Sequence, residues 1–495
     1  MASGNQRKLA MIGVDAAELS YVRENLSHLP NFRRALENRA VTDLTSQAAL
    51  IPGSVWPSFF TESGPGEHGF YLILAWDPDA MRLKRVTGQR LPMDPFWRKL
   101  ARAGVDVIAI DVPMSDAPAD GPGIEIAGWG THDGLTRFSA RPRTLEREIL
   151  RRFGAHPIGL EIPVAKSAAQ RERIKRQLVE GARRKGELTQ WLAATQRWDL
   201  LLVVFSELHR GGHVLWPSNE SVRPEWLLEV YCAVDRALGE IVSSLSADNT
   251  TVWLFALHGM GPNNSQEHFT QEIVARINAR FGASEGARSI TVAPRGPSPI
   301  NALRKRMPPR AQTAIARAVP QWARDLVVDR SYTAGFDWRR TPAIALRSDR
   351  NGYIRLNIKG RERDGMLEAG SVALRSYVAD LREGFASFST EHGTPLVTDI
   401  RMAAEAAPGR RTNLLPDMIV AWNESRTARR IDSPILGEIV AHEDTGRTGH
   451  HRTRGFLAAM SSGNRDVARG APQMSIENLA DAVRQMLAGN RSAQV

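Results

Sequence analysis

Four short, largely apolar runs do most to limit what this chain can become: Leu9–Val14, Asp106–Val112, Leu200–Phe205 and Val252–Leu257. Runs of this length without polar alternation belong to strands buried on both faces, as in parallel sheets. Helical stretches alternate with them, near Trp56–Thr61, at Pro95–Ala103, at Arg143–Arg152 and Ala168–Ala194, and around Val230–Ser244. Strand, loop and helix in repeated order predict an α/β fold with a mainly parallel central sheet flanked by helices.

After His258 the pattern lapses. Gly282–Pro309 is rich in Gly, Pro, Ser and Arg and reads as a loop, and Arg310–Val328 as a basic amphipathic lid or packing helix. Strand character returns at Ile344–Ile358 and Pro395–Arg401, around a helix at Ala369–Glu383, and again at Met418–Trp422; Ser475–Leu487 reads as a terminal helix. The expected organisation is one large α/β core at 8–265 and 415–490, with a cap-like insertion at 266–414 that carries a basic linker at 282–312.

Composition narrows the setting. With 495 residues and 42% hydrophobic content the chain can bury a sizeable core. No stretch approaches the ~20 uncharged apolar residues of a membrane span. The polar start, Met1 to Arg7, lacks the form of a signal peptide, and the single cysteine, Cys232, excludes an internal disulfide framework. A cytoplasmic location is expected. The net charge of +11, without a nucleic-acid motif, fits steering of small phosphate-like anions.

Chemistry gathers where ligands collect in open α/β sheets, at the carboxyl ends of strands. Asp15 follows the first strand directly; alone, such an Asp is also a common helix cap. Ser54, in Pro52-Gly53-Ser54-Val55-Trp56-Pro57-Ser58, enters a helix whose N-terminus favours an anion. His209 and His213, four apart after the third run, share a face on a helical turn, as metal ligands do. His258 follows the fourth run, and His450 and His451 lie near the C-terminus.

In their order, Ile12-Gly13-Val14-Asp15, Trp56-Pro57-Ser58-Phe59-Phe60-Thr61 and Pro65-Gly66-Glu67-His68-Gly69 resemble the opening of the type I phosphodiesterase/nucleotide pyrophosphatase family, in the alkaline-phosphatase superfamily. Phe96–Leu100 through Val112-Pro113 is similar to its second βα unit. Asp337-Trp338, Thr341, Asn357–Gly365, Leu415-Pro416-Asp417 and His451-Arg452 with Gly455 resemble its cytosolic phosphohydrolase/phosphomutase-like members. The resemblance runs from Leu9 to about Ala458. It implies an alkaline-phosphatase-like three-layer fold and metal-assisted displacement at phosphorus, with two metals, commonly zinc, flanking a Ser or Thr nucleophile. Carried over by position, Asp15 and His258 match ligands of one metal, and His213 and His451 ligands of the other.

The sequence departs from the pattern at three positions. His209 stands where the family has the Asp of D-x-x-x-H, Leu257 stands for the Asp before His258, and the nucleophile position falls on Pro52. Ser54, two residues on, is the candidate nucleophile; the alternative is that it caps the helix. Two dications on imidazoles and one carboxylate are electrostatically poor. The expectation is therefore one firmly bound divalent ion on His209, His213 and His451, most simply zinc, with manganese or iron admitted, and a weaker or absent second at Asp15 and His258. Glu207, His132, Asp133, Asp444, His450 and Arg452 are possible auxiliary ligands or substrate contacts. The function implied is phosphate-ester hydrolysis, of a diester or a nucleotide or sugar phosphate. The alternatives are sulfate or phosphonate esters on the same fold, or an impaired enzyme that binds an anion without turnover.

Overall fold

Every residue of Leu200–Phe205 is buried, as is all but the first of Lys8–Val14, so these strands are covered on both faces. The computed structural model describes residues 8–37, 41–86, 93–132, 138–159, 164–218, 222–245, 249–284, 320–441, 446–460 and 473–488. They fall into two units, one of 1–71, 87–263 and 443–495, the other of 72–86 and 264–442.

In chain order the strands of the first unit are β1 (Lys8–Val14), β2 (Val41–Thr45), β3 (Val107–Ile110), β4 (Ile124–Ala127), β5 (Ser139–Arg141), β6 (Leu200–Phe205), β7 (Thr250–Ala256), β8 (Gly259–Pro262), β9 (Gly449–Arg452), β10 (Gly455–Ala459) and β11 (Gln473–Ser475). Nine of them form one sheet in the order β11-β2-β10-β7-β1-β6-β3-β4-β5, while β8 and β9 pair separately. At its centre β1 runs parallel to β6 on one side and β7 on the other, and β3 is parallel to β6 and β4. Antiparallel pairing enters where β10 meets β7 and β2, and where β4 meets β5. The apolar runs read from the sequence are β1, β3, β6 and β7.

Four helices matter for the site: α1 (Val55–Thr61), α2 (Ala168–Thr195), α3 (Glu207–Leu215) and α4 (Pro224–Ser244). Ser167 caps α2 by accepting from the Gln170 N–H, and Pro224 opens α4 where a missing N–H costs nothing. Leu178, Ala182, Leu188 and Leu192 of α2 join Leu227, Val230, Val234 and Leu238 of α4 in the large core beside the sheet.

The second unit has a four-stranded antiparallel sheet, in order Ala343–Leu346, Gly352–Leu356, Met418–Trp422 and Val397–Met402. Ile273, Ile277 and Phe281 of Thr270–Ser284 and Tyr377, Leu381 and Phe385 of Val372–Ala386 share its core. The expected boundary at residue 415 does not coincide with the edge of this unit. Met418–Trp422 pairs with Gly352–Leu356 and Val397–Met402, and so belongs with the inserted segment. The linker expected at 282–312 lies almost wholly outside the described residues. No described helix is long and apolar enough to cross a membrane.

Candidate metal centre

Three local devices bring the site together inside the first unit. At the end of β1 the Asp15 N–H donates to Phe205 O at 3.0 Å, while Ala16 turns the chain away with φ of 59°. Directly after β6, α3 places His209 and His213 one turn apart on one face. The β8–β9 ladder sets Met260 opposite His451 and so brings His258, which precedes β8, beside it; their rings are 4.7 Å apart. Close packing of α3 on the β8–β9 pair needs glycine at both contacts. A Cβ on Gly449 would lie 2.0 Å from Gly212 O, and one on Gly212 would lie 2.6 Å from Met260 Cγ.

The imidazoles converge through their ε nitrogens. His209 Nε2 is 3.0 Å from His213 Nε2, which is 3.2 Å from His451 Nε2. The partners of the δ nitrogens assign the protons. His213 Nδ1–H donates to Gly449 O at 3.0 Å, and His209 Nδ1–H donates to Asp15 Oδ2 at 2.8 Å. Both neutral rings therefore turn an ε lone pair toward the same point, where two lone pairs at this distance repel. A cation removes the repulsion, and three imidazoles at such spacing suit one, with a position left open.

A second grouping of Asp15, His209 and His258 also has donor atoms within 4.8 Å of one another. One neutral imidazole cannot serve both points, since the His209 δ nitrogen carries the proton. What remains is His258 Nε2, 3.5 Å from Asp15 Oδ1, and that oxygen already accepts from Trp56 Nε1 at 2.9 Å. Two donors are fewer than a firm site takes.

Electrostatics favour the ligand forms. Burial, then the neighbouring imidazoles, holds His209 down to about 4; burial, then Arg447 and the other rings, holds His213 well below its usual value. Burial followed by His258, His209 and His213 does the same to His451, and burial lowers His258. Burial pushes Asp15 up, but His209 and His132 outweigh it and keep the carboxylate ionised.

The remaining expected residues have varied surroundings. Ser54 Oγ, fully buried, donates to Ile51 O at 2.7 Å; its side chain makes no capping bond to α1, which corrects the capping alternative. Glu207 accepts from His156 Nε2 at 3.0 Å and sits 3.6 Å from Lys185 Nζ, so it is held in a network of its own, and its carboxyl is lowered to about 2 chiefly by Lys185 and His156 acting against burial. His132 stacks on His209, centroids 3.9 Å apart, with Nδ1 3.0 Å from Asp15 Oδ2 but poorly aligned for a hydrogen bond. His450 Nδ1 accepts from the His451 N–H at 2.8 Å, and Arg452 donates to Pro262 O at 2.9 Å. Asp133 and Asp444 lie outside the described residues. Sequence reasoning missed Trp56 and Gly449 as partners of the site, and no spacing rule could have singled out a backbone carbonyl.

A mainly parallel, helix-flanked sheet with an Asp and His cluster at its strand ends defines an alkaline-phosphatase-like α/β protein. The family model for type I phosphodiesterase / nucleotide pyrophosphatase matches residues 9–366, and the chain belongs to that family of phosphoric ester hydrolases, whose members are metallohydrolases. Among solved structures, the wild-type alkaline phosphatase PafA is 12% identical over 98% of this chain and 96% of its own, with a TM-score of 0.53. The phosphonoacetate hydrolase of Sinorhizobium meliloti 1021, in complex with phosphonoformate, is 14% identical over 98% and 96%, with a TM-score of 0.50. At such identities the likeness is one of fold. A search of curated proteins found no match.

Proposed function

We propose that this protein hydrolyses small anionic phosphate esters, diesters or nucleotide- or sugar-linked phosphates, at a single divalent cation held by His209, His213 and His451. The observation that carries the reading is the meeting of their ε nitrogens with two protons already committed to Asp15 and Gly449 O. Zinc suits three imidazoles; manganese and iron are the alternatives. A bound cation supplies Lewis acidity at a phosphoryl oxygen. The chain's own residues keep the three rings neutral by burial, and Asp15 and Gly449 O fix the rotation of His209 and His213. The Ser54 hydroxyl is committed to Ile51 O, which favours water over a serine ester route. The cytoplasm remains the proposed location.

The test is a panel of aryl phosphate mono- and diesters, phosphonates and sulfates, assayed on zinc- and manganese-loaded protein. Diester turnover is expected in the parent and in Ser54→Ala, with inversion at a chiral phosphorus, and is expected to vanish in His213→Ala. Loss of turnover in folded Ser54→Ala, or retention at phosphorus, would restore the serine route. The committed Ser54 hydroxyl also favours a second reading, anion binding without turnover, and metal-loaded protein inert on the whole panel would select it. A preference for sulfates would move the assignment to sulfuryl transfer.

A further inference from the structure

In the family pattern the first-strand carboxylate is a metal ligand; here the geometry points to another task. We propose that Asp15 and His132 are positioning residues, a bracket that orients His209 toward the meeting point of the three imidazoles without either of them holding a cation. The inference rests on the trihistidine reading above.

His209 faces that point through Nε2 and Asp15 through Nδ1, at 3.0 and 2.8 Å from its respective partners. A carboxylate that accepts the δ proton fixes the ring rotation and raises the basicity of the other nitrogen. The carboxylate is itself immobilised, by the Trp56 indole N–H on Oδ1 and by its own backbone N–H on Phe205 O. His132 closes the other side, stacked on the His209 ring at an interplanar angle of 29°.

The segment that presents His132 is anchored by a buried charge network independent of the cluster. The Asp111 carboxylate accepts from the Trp129 N–H at 2.9 Å. Lys185 of α2, fully buried, donates to Gly130 O at 3.3 Å and to Val204 O at 3.0 Å; it lies 3.2 Å from Asp111 and 3.6 Å from Glu207. One ammonium thus ties together the end of β6, the first residue of α3 and the segment that leads to His132. Only glycine fits at position 130, where a Cβ would fall 2.8 Å from His156 and 2.9 Å from Asp111. His132 and His209 are therefore set against each other from a shared foundation.

The test titrates cobalt(II) into the metal-free full-length protein, read by visible absorption and by competition with a chelator. Asp15→Ala is expected to bind the same number of equivalents as the parent, about 10–100-fold more weakly and with an altered spectrum. Asp15→Asn keeps an acceptor for the δ proton and should recover most of that loss. His132→Ala should weaken binding by a smaller factor, and His132→Phe, which keeps a ring on His209, should restore it. Circular dichroism of each variant confirms folding. A saturating stoichiometry that drops from two to one in both Asp15 variants, with the remaining ion bound as in the parent, would make Asp15 a direct ligand and overturn the proposal. Unchanged affinity in Asp15→Ala and His132→Ala would overturn it as well. If His213→Ala binds cobalt like the parent, the trihistidine reading has failed, an outcome separable from either of these.

Discussion

The Oγ of Ser58 and the Nε2 of His68 lie 3.1 Å apart and both residues are buried, a pairing that in outline resembles an activated nucleophile. The tautomer argues otherwise. The Phe70 N–H donates to His68 Nδ1 at 3.0 Å, so the proton sits on Nε2 and the imidazole donates to the hydroxyl. Burial lowers His68 from 6.5 to about 3, so the folded protein holds the ring neutral. Between those values the unfolded chain binds the extra proton, and stability is lost as pH falls through the window, by about 1.4 kcal/mol per pH unit for a full proton. His68→Asn, which keeps an acceptor for Phe70, should reduce the pH slope of the unfolding free energy by up to one proton. Urea titrations of metal-free protein from pH 7 to pH 4 measure it; an unaltered slope would mean that His68 is charged in the fold. At the same scale Leu257, fully buried, stands where the family has a carboxylate. Leu257→Asp should add a third donor beside Asp15 and His258 and raise bound metal from near one equivalent toward two, by elemental analysis after dialysis. Two tightly held ions in the unaltered chain would sink the single-cation reading.

Packing of α3 on β9 shows how an element depends on residues that have no chemistry of their own. A Cβ at Gly449 meets a backbone carbonyl at 2.0 Å, which no rotamer change relieves. Gly449→Ala should therefore cost about 1–3 kcal/mol or more, and should weaken metal binding because Gly449 O holds the His213 tautomer. Parent-like stability and affinity would refute the close approach. In the second unit, Arg355 is buried against Glu362 at 2.7 Å, and Arg361 reaches Asp417, whose Oδ2 also accepts from the Leu356 N–H at 2.8 Å. Residues that carried part of the family resemblance, Asn357–Gly365 and Asp417, thus have a structural role here. Glu362→Ala should destabilise by about 3–5 kcal/mol, by leaving the Arg355 charge buried, with the His-site metal content unchanged. What was legible follows the same logic. Double-sided burial marks β1, β3, β6 and β7 as apolar runs, whereas β2 alternates, and β8, with two glycines, and β9, with the His450–His451 pair, are four-residue segments defined by long-range pairing. Ile344–Ile358 reads as one strand because its apolar ends outweigh the polar Arg347–Asn351 that turns between two. The histidines stood out by position at strand ends; the contacts that orient them, from Asp15 on His209 and Gly449 O on His213, and the Trp56 N–H that holds Asp15, come from residues remote in sequence.

Across the whole chain, the groups of the proposed centre come from residues 15, 209, 213, 258 and 451, and every element that carries them belongs to the first unit. A cation that binds only the folded form stabilises it by mass action, about 2.7 kcal/mol at a free concentration one hundred times its dissociation constant. That stabilisation reaches whatever unfolds together with the ligands, and the central strands β1, β6 and β7 are joined to them directly by the backbone ladder. Hydrogen exchange should therefore respond to chelation in a defined set of segments. Removal of the ion is expected to accelerate exchange about 100-fold at 8–15, 200–215, 250–262 and 446–460, where exchange requires opening of the unit as a whole. His213→Ala should show the fast pattern with or without metal, because the ligand set is already broken. The strands Ala343–Leu346 and Gly352–Leu356 serve as the internal reference, since their core is built from other residues of the second unit. Exchange in the first unit that is indifferent to chelation would leave the three imidazoles without a cation to hold.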